Sequence, residues 1–232
     1  MADTGLDFRG RSKVLNINYR NTAQIVQFAW DFYKHFTKLG NHLIQTELKD
    51  EIIIPKWTKR KGPMPYVKRF RTPFEEARFI AMQIEKLHRV QGLPYEEMLI
   101  LYRVKYANRW PYVDIICREL KARDIPYYWI TENDQAKHAF KKDEPSVKIC
   151  TVDSSKGMDF TAVFFSCMQE MPSTLEEHFE KEISRAYIGM TRAKQYLSIT
   201  SAGPSQFMYY FEELVERNKN ENEQVSSDVQ SS

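Results

Sequence analysis

Three stretches of this 232-residue chain concentrate side chains suited to anion chemistry. In "LNINYRNT", Leu15 to Thr22, Arg20 stands just before the first long helix. In "VKICTVDSSKGMDF", Val147 to Phe160, a strand ends at Thr151, and the turn after it carries Asp153, Ser154, Ser155, Lys156, Gly157 and Asp159. In "EISRAYIGMTRAKQYLSIT", Glu182 to Thr200, an amphipathic helix runs into a strand, and Arg192 sits near the join beside Thr191. A guanidinium is planar and permanently charged, so it suits an anion across a cleft better than a lysine does. Each stretch also has a plain structural reading. Arg20 is then a surface charge near a helix start, Lys156-Gly157 an ordinary turn with glycine at positive φ, and Arg192 a complement to the carbonyl end of its helix.

The elements that must position these residues follow from periodicity. "NTAQIVQFAWDFYKHF" puts Ile25, Phe28, Ala29, Phe32 and Phe36 on one helical face, with Asn21 or Thr22 available as cap. Short β-like runs, "EIIIPKW" and "PYVKRFR", flank the loop "TKRKGPM", whose basic part reads as a solvated turn. The helix "PFEEARFIAMQIEKLHRV" starts on Pro73 and is stopped by Gly92 and Pro94. From there strands and helices alternate: "EMLILYR", "YVDIICRELKARD", "IPYYWI", "SVKICTVD", "TAVFFSCM", the helix before Arg192, "YLSIT" and a last helix "SQFMYYFEELVERN". Nearly continuous apolar strands between helices predict an α/β domain, a parallel sheet covered on both faces. Ligands in such folds sit outside the carboxyl ends of the strands. The domain is expected over residues 1–218, and the polar tail over residues 219–232 is expected to be disordered.

Composition narrows the class. Hydrophobic residues at 42% and charged residues at 28% are ordinary for a globular protein, and a net charge of +3 permits nucleic-acid contact without demanding it. Cys117, Cys150 and Cys167 are odd in number and lie in apolar runs, so they read as buried free thiols of a reducing compartment. The five histidines show no metal-ligand spacing with them, and no signal peptide or membrane-length apolar run is evident. A cytoplasmic protein without membrane partners is the expectation.

Taken together the stretches resemble the helicase motifs of superfamily 1 DNA helicases of the UvrD/Rep type. "NYRNT" with the following Ile and Ala resembles motif IV. "TVDSSKGMDF" resembles motif V, usually T-x-H-x-x-K-G-L-E-F, and "EISRAYIGMTRAK" resembles motif VI, usually E-x-x-x-L-x-Y-V-A-x-T-R-A. "MLILYR" and "IPYYWI" are similar to segments between motifs IV and V, and "DFRGRSKVLNINYR" to the text after motif III. The likeness spans most of Gly10 to Thr200, in order.

The resemblance implies the second RecA-like domain (2A) of a two-domain motor, with ATP bound between the domains and single-stranded DNA crossing the top. It assigns Arg20 and Arg192 as catalytic arginines approaching the γ-phosphate, with Gly157 and Asp159 completing the ATP site. Arg103, Thr151, Asp153 and Lys156 fall on the DNA face, where Tyr102, Tyr127 or Trp129 could stack on bases; for Tyr127 and Trp129 packing against the sheet is the favoured reading. No G-x-x-x-x-G-K-[ST] occurs in the chain, so the phosphate cradle and the Mg²⁺ ligands are expected on an N-terminal P-loop domain of a longer protein, without which this domain is inactive. Asp153 replaces the family's histidine, and a carboxylate there would repel phosphate. Asp159 replaces a glutamate as a shorter acceptor for the ribose. Only sixteen residues separate Ile130 from Val147, too few for the accessory 2B domain that larger members insert there. A different class remains open: a RecA-like module without catalysis that tethers nucleic acid or regulates a protein partner.

Overall fold

The computed structural model describes residues 20–37, 58, 60–107, 110–172 and 179–230. The segment before Arg20 and the run "EIIIPKW" lie outside the described residues. Helix α1 (Ala23–Thr37) is followed by strand β1 (Tyr66–Arg69) and helix α2 (Pro73–Gln91). Next come β2 (Met98–Tyr102), the short antiparallel pair β3 (Tyr106–Ala107) and β4 (Trp110–Pro111), α3 (Tyr112–Lys121) and β5 (Tyr127–Trp129). Then α4 (Asp134–Ala139), β6 (Val147–Thr151), β7 (Phe160–Phe165), α5 (Phe179–Thr191), β8 (Ala193–Ser201) and α6 (Gln206–Gln230) complete the order.

Among the described residues six strands form one sheet in the order β1-β8-β7-β2-β6-β5, each pairing parallel. The central strand β2 is buried at all five positions, which is why it reads as an unbroken apolar run. Alternate residues feed opposite faces. Leu99, Leu101, Cys150, Val163, Phe165, Leu197 and Ile199 join the core under α1, α5 and α6. Met98, Ile100, Tyr102, Ile149, Ala162 and Phe164 join the one under α2 and α3. The expected RecA-like architecture, one α/β domain with helices on both faces, is what the chain adopts.

Local signals explain the element ends. Thr72 caps α2 by accepting from the Glu75 N–H, Pro73 opens the first turn, and Gly92 closes it in the left-handed region at φ 65°. The β5–β6 connection holds only α4, capped by Asn133, so no 2B insertion is present. The last helix differs from expectation, because α6 continues to Gln230 through residues that the polar composition assigns to a disordered tail. The stretch from Gln206 to Gln230 contains neither glycine nor proline, so nothing local stops the helix once Phe207, Phe211 and Leu214 have docked. All three cysteines are free and buried, and burial pushes the Cys117 thiol up to about 11 and Cys150 to about 12. Among the described residues no helix is long and apolar enough to cross a membrane.

Candidate functional site

Helix α5 organises the site because it runs opposite to the strands. Its first turns lie at the carboxyl ends of β2 and β6, and its last turn abuts the amino ends of β7 and β8, where Phe160 pairs with Ala193. The close approach of α5 to the sheet needs Gly189, since a Cβ there would lie 2.6 Å from Cε1 of Phe165. The expected site residues therefore divide between two ends of the sheet, rather than gathering at the carboxyl ends alone.

At the amino end, Asn21 is buried and its amide donates to the carbonyls of Thr191 (2.8 Å) and Ala193 (2.5 Å), the residues on either side of Arg192. The N–H of Thr22 donates to the Lys194 carbonyl at 3.1 Å. Asn21 thus ties the start of α1 to the α5–β8 joint instead of standing only as a cap, and the Thr22 hydroxyl is buried without a hydrogen-bond partner. The first N–H of α1, on Ala23, is met by the Arg60 carbonyl at 2.8 Å, and Arg60 Nη1 donates to the Arg20 carbonyl at 2.7 Å. Gly62 makes this approach possible, because a Cβ would sit 2.5 Å from Cγ2 of Thr22. Part of the loop expected as a plain solvated turn is thereby the clamp that sets Arg20, whose own side chain is exposed.

Arg192 is 8% exposed, and its guanidinium donates from Nε to Ile188 O and from Nη1 to Met158 O, both at 3.2 Å. One bond complements the carbonyl end of α5, and the other ties α5 to the turn after β6. Nearby, Glu97 accepts from the Thr161 hydroxyl and from Lys194 Nζ at 3.0 Å. Burial raises the Glu97 carboxyl, but these hydrogen bonds and the Lys194 charge outweigh it and hold the group below the usual carboxylate range.

At the carboxyl end, the hydroxyl of Thr151 bonds that of Ser154 at 3.0 Å and accepts from the Ser154 N–H, turning the chain into a short 3₁₀ segment. Lys156 and Gly157 are exposed, and Gly157 takes φ 74°, a conformation that favours glycine. Asp159, one residue before β7 at the other end of the turn, is half-buried. Arg103, following β2, grips the fully buried Glu182 through Nε (3.0 Å) and Nη2 (2.9 Å). Arg185 joins the same carboxylate through Nη1 at 2.7 Å and donates from Nε to Asp153 at 3.0 Å. Two carboxylates and two guanidiniums alternate along this chain of contacts. Arg103 is therefore placed on the expected face but engaged with Glu182, and the Asp153 carboxylate is paired rather than bare.

Tyr102 cannot stack on a base, because it is fully buried and its hydroxyl bonds Thr131 (2.8 Å) and the Trp129 indole (2.9 Å). Trp129 packs half-buried under Lys105 Nζ, while Tyr127 is 36% exposed. Also at the carboxyl ends, Glu76 of α2 is wholly buried. It accepts from the Thr200 hydroxyl (2.6 Å) and the Cys167 N–H (3.1 Å), and its second oxygen has no hydrogen-bond partner. Burial pushes this carboxyl up, so it favours the neutral form.

Sequence reasoning missed Asn21 as a bridge, Glu97, Glu76 and Arg185. Arg185 had a signal. Counted back from Thr191-Arg192-Ala193, the leucine of the motif VI pattern falls on Arg185, and its glutamate one residue before Glu182. Asp153 and Arg185 both depart from the pattern, and they are partners in space.

Residues 13–135 and 129–203 match the UvrD-like helicase C-terminal domain family. The chain belongs to this family. A relative described as "Probable DNA helicase", from Mycoplasma pneumoniae (strain ATCC 29342 / M129 / Subtype 1), is 27% identical over 142 residues, 58% of this chain and 23% of that protein. The chain thus spans about a quarter of that relative's length. A crystal structure of the C-terminal domain of a possible DNA helicase from Lactobacillus plantarum WCFS1 shares the fold, with TM-score 0.53 and 17% identity over 82% of this chain and 92% of that one.

Proposed function

We propose that the chain is the second motor domain of an ATP-dependent DNA helicase or translocase. Its amino-end cluster would face ATP and its carboxyl-end turn would face single-stranded DNA. The observation that carries this reading is the joint at Arg192, where three separate stretches meet: Asn21 bonds both of its neighbours, and its guanidinium reaches Met158 of the turn. In the closed enzyme Arg20 and Arg192 would approach the γ-phosphate, and Gly157 and Asp159 would lie beside the nucleotide. Phosphoryl transfer leaves a protein mainly positioning and charge stabilisation to do, and arginines delivered from a second domain supply both only on closure. Thr151, Lys156 and the backbone of the turn would follow the DNA phosphates, a contact that is independent of sequence and weakened by salt. Among the described residues no cluster of acids, histidines and cysteines could hold a metal. By the resemblance alone, Mg²⁺ and the phosphate cradle are assigned to an N-terminal P-loop domain of a longer protein.

The contacts of Arg192 also favour a second reading, in which it only braces the end of α5 and the domain is a non-catalytic tether. Arg192→Ala in the longer protein separates the two. A finger gives a loss of DNA-stimulated ATP turnover of about 10³-fold or more with nucleotide binding largely kept, beside a stability cost of about 1–3 kcal/mol from the carbonyls of Ile188 and Met158 that the substitution leaves without the guanidinium. Turnover within a fewfold of wild type in a folded variant would sink the finger and leave the brace.

A further inference from the structure

Asp153 places a carboxylate, 46% exposed, in the turn that also presents Lys156 and the Thr151–Ser154 hydroxyl pair. An uncompensated negative charge at that point would oppose any polyanion approaching the turn, and it would do so most strongly at low salt. Arg185 lies against it at 3.0 Å and is only 21% exposed, so it is fixed in place rather than sampling solvent. It is fixed by its second contact, Nη1 to Glu182 at 2.7 Å. Glu182 does not depend on Arg185 for its own neutralisation, because Arg103 already grips both of its oxygens. Charge accounting is then simple. Removing Arg185 leaves Glu182 compensated and Asp153 bare.

We infer that Arg185 is the residue that makes this turn acceptable to a phosphate backbone, by cancelling Asp153 and tying it to α5. It is a positioning and charge-compensating residue, not a direct ligand. The inference rests on the proposed reading of the turn as facing single-stranded DNA, and it predicts opposite effects for the two partners. Loss of Arg185 exposes an anion. Loss of the Asp153 charge leaves a guanidinium in surplus.

The test is anisotropy titration of a fluorescent oligo-dT single strand with the whole 232-residue chain, in low salt and with rising salt. Arg185→Gln is expected to bind about three- to tenfold more weakly than wild type, with the deficit closing as salt rises. Asp153→Asn is expected to bind more tightly, and the double variant Asp153→Asn/Arg185→Gln to return to near the wild-type affinity. Arg185→Lys, which keeps the charge and loses the fork, keeps the affinity within about twofold. Melting curves run alongside; if Arg185→Gln does not fold, the Asp153→Asn and Arg185→Lys arms decide alone. Binding by Arg185→Gln equal to wild type overturns the inference, as does Asp153→Asn binding no more tightly, or a folded double variant as weak as the single. Absence of any low-salt binding by the wild-type chain overturns the DNA-facing reading itself, and the inference with it.

Discussion

The two ends of the sheet are held by different kinds of bond. At the carboxyl end the joint between helix and strands is charge on charge: Arg103, Glu182, Arg185 and Asp153 in series. At the amino end the bonds that close the joint run from side chain to main chain, from Asn21 to Thr191 and Ala193 and from Arg192 to Ile188 and Met158. Bonds to carbonyls fix where the backbone goes, and salt or pH touches them little. A network of ionised groups fixes charge as well as position, and it is adjustable by anything that brings charge near. The difference fits the proposed reading, in which the amino end would present an arginine and the carboxyl end would meet a polyanion.

The perturbed carboxyls at the two ends have opposite signs: Glu97 is lowered at the amino end, and Glu76 and Glu170 are raised by burial at the carboxyl end. Glu97, at the amino ends of β7 and β8, is held below its ordinary range. Its stabilisation is present above the unfolded carboxyl range and is lost as pH falls through the folded value. Glu76, at the carboxyl ends, is held above that range by burial. Its folded form keeps a proton that the unfolded chain has released, so stability falls as pH rises from the unfolded value to the folded one.

The comparison can be broken in three ways. The largest expected effect is at Glu182, which is fully buried between two arginines. Glu182→Ala is expected to cost on the order of 3–5 kcal/mol in urea unfolding, and the cost should shrink in high salt, because two guanidiniums lose their common anion. A smaller cost that is unchanged by salt would mean that the carboxyl end is not held by charge. Asn21→Ala should cost about 1–3 kcal/mol, the range for stranding buried carbonyls, and should show no salt dependence. If it does respond to salt, the contrast between the ends fails. The smallest effect is at Glu76. Glu76→Gln keeps an acceptor for Thr200 and Cys167, so it should fold, and its melting temperature should decline less than that of wild type as pH rises above the ordinary carboxyl range. A variant that declines as steeply as wild type would place the charge elsewhere.

Much of this was legible in the chain. Unbroken apolar runs such as "MLILY" named the buried parallel strands, Thr72-Pro73 and Gly92 marked the ends of α2, and the three motif stretches were found in the right order. The division of the site between opposite ends of the sheet was not legible. It depends on α5 running antiparallel to the strands and on the turn from Val152 to Asp159 crossing from one end to the other, which no local pattern encodes. Asn21 looked like a cap because its neighbourhood is a helix start, and only tertiary placement shows the carbonyls that it serves. Arg185 drew no reading of its own, because only the fold sets Asp153 opposite it. Polar composition over the tail argues against burial, yet by itself does not argue against a helix, and α6 runs on to Gln230.

Helix α5 has one further consequence, which is mechanical. Ten residues separate Glu182 from Arg192, and at ~1.5 Å per residue the two lie ~15 Å apart along one rigid rod. A rocking of ~4° about the Glu182 anchor swings the far end by ~1 Å, which is the scale of misplacement that can cost ~10²-fold in a well-aligned reaction. The bonds from Asn21 and Arg192 and the tight packing of Gly189 on Phe165 are therefore what hold the far end of the rod within that tolerance.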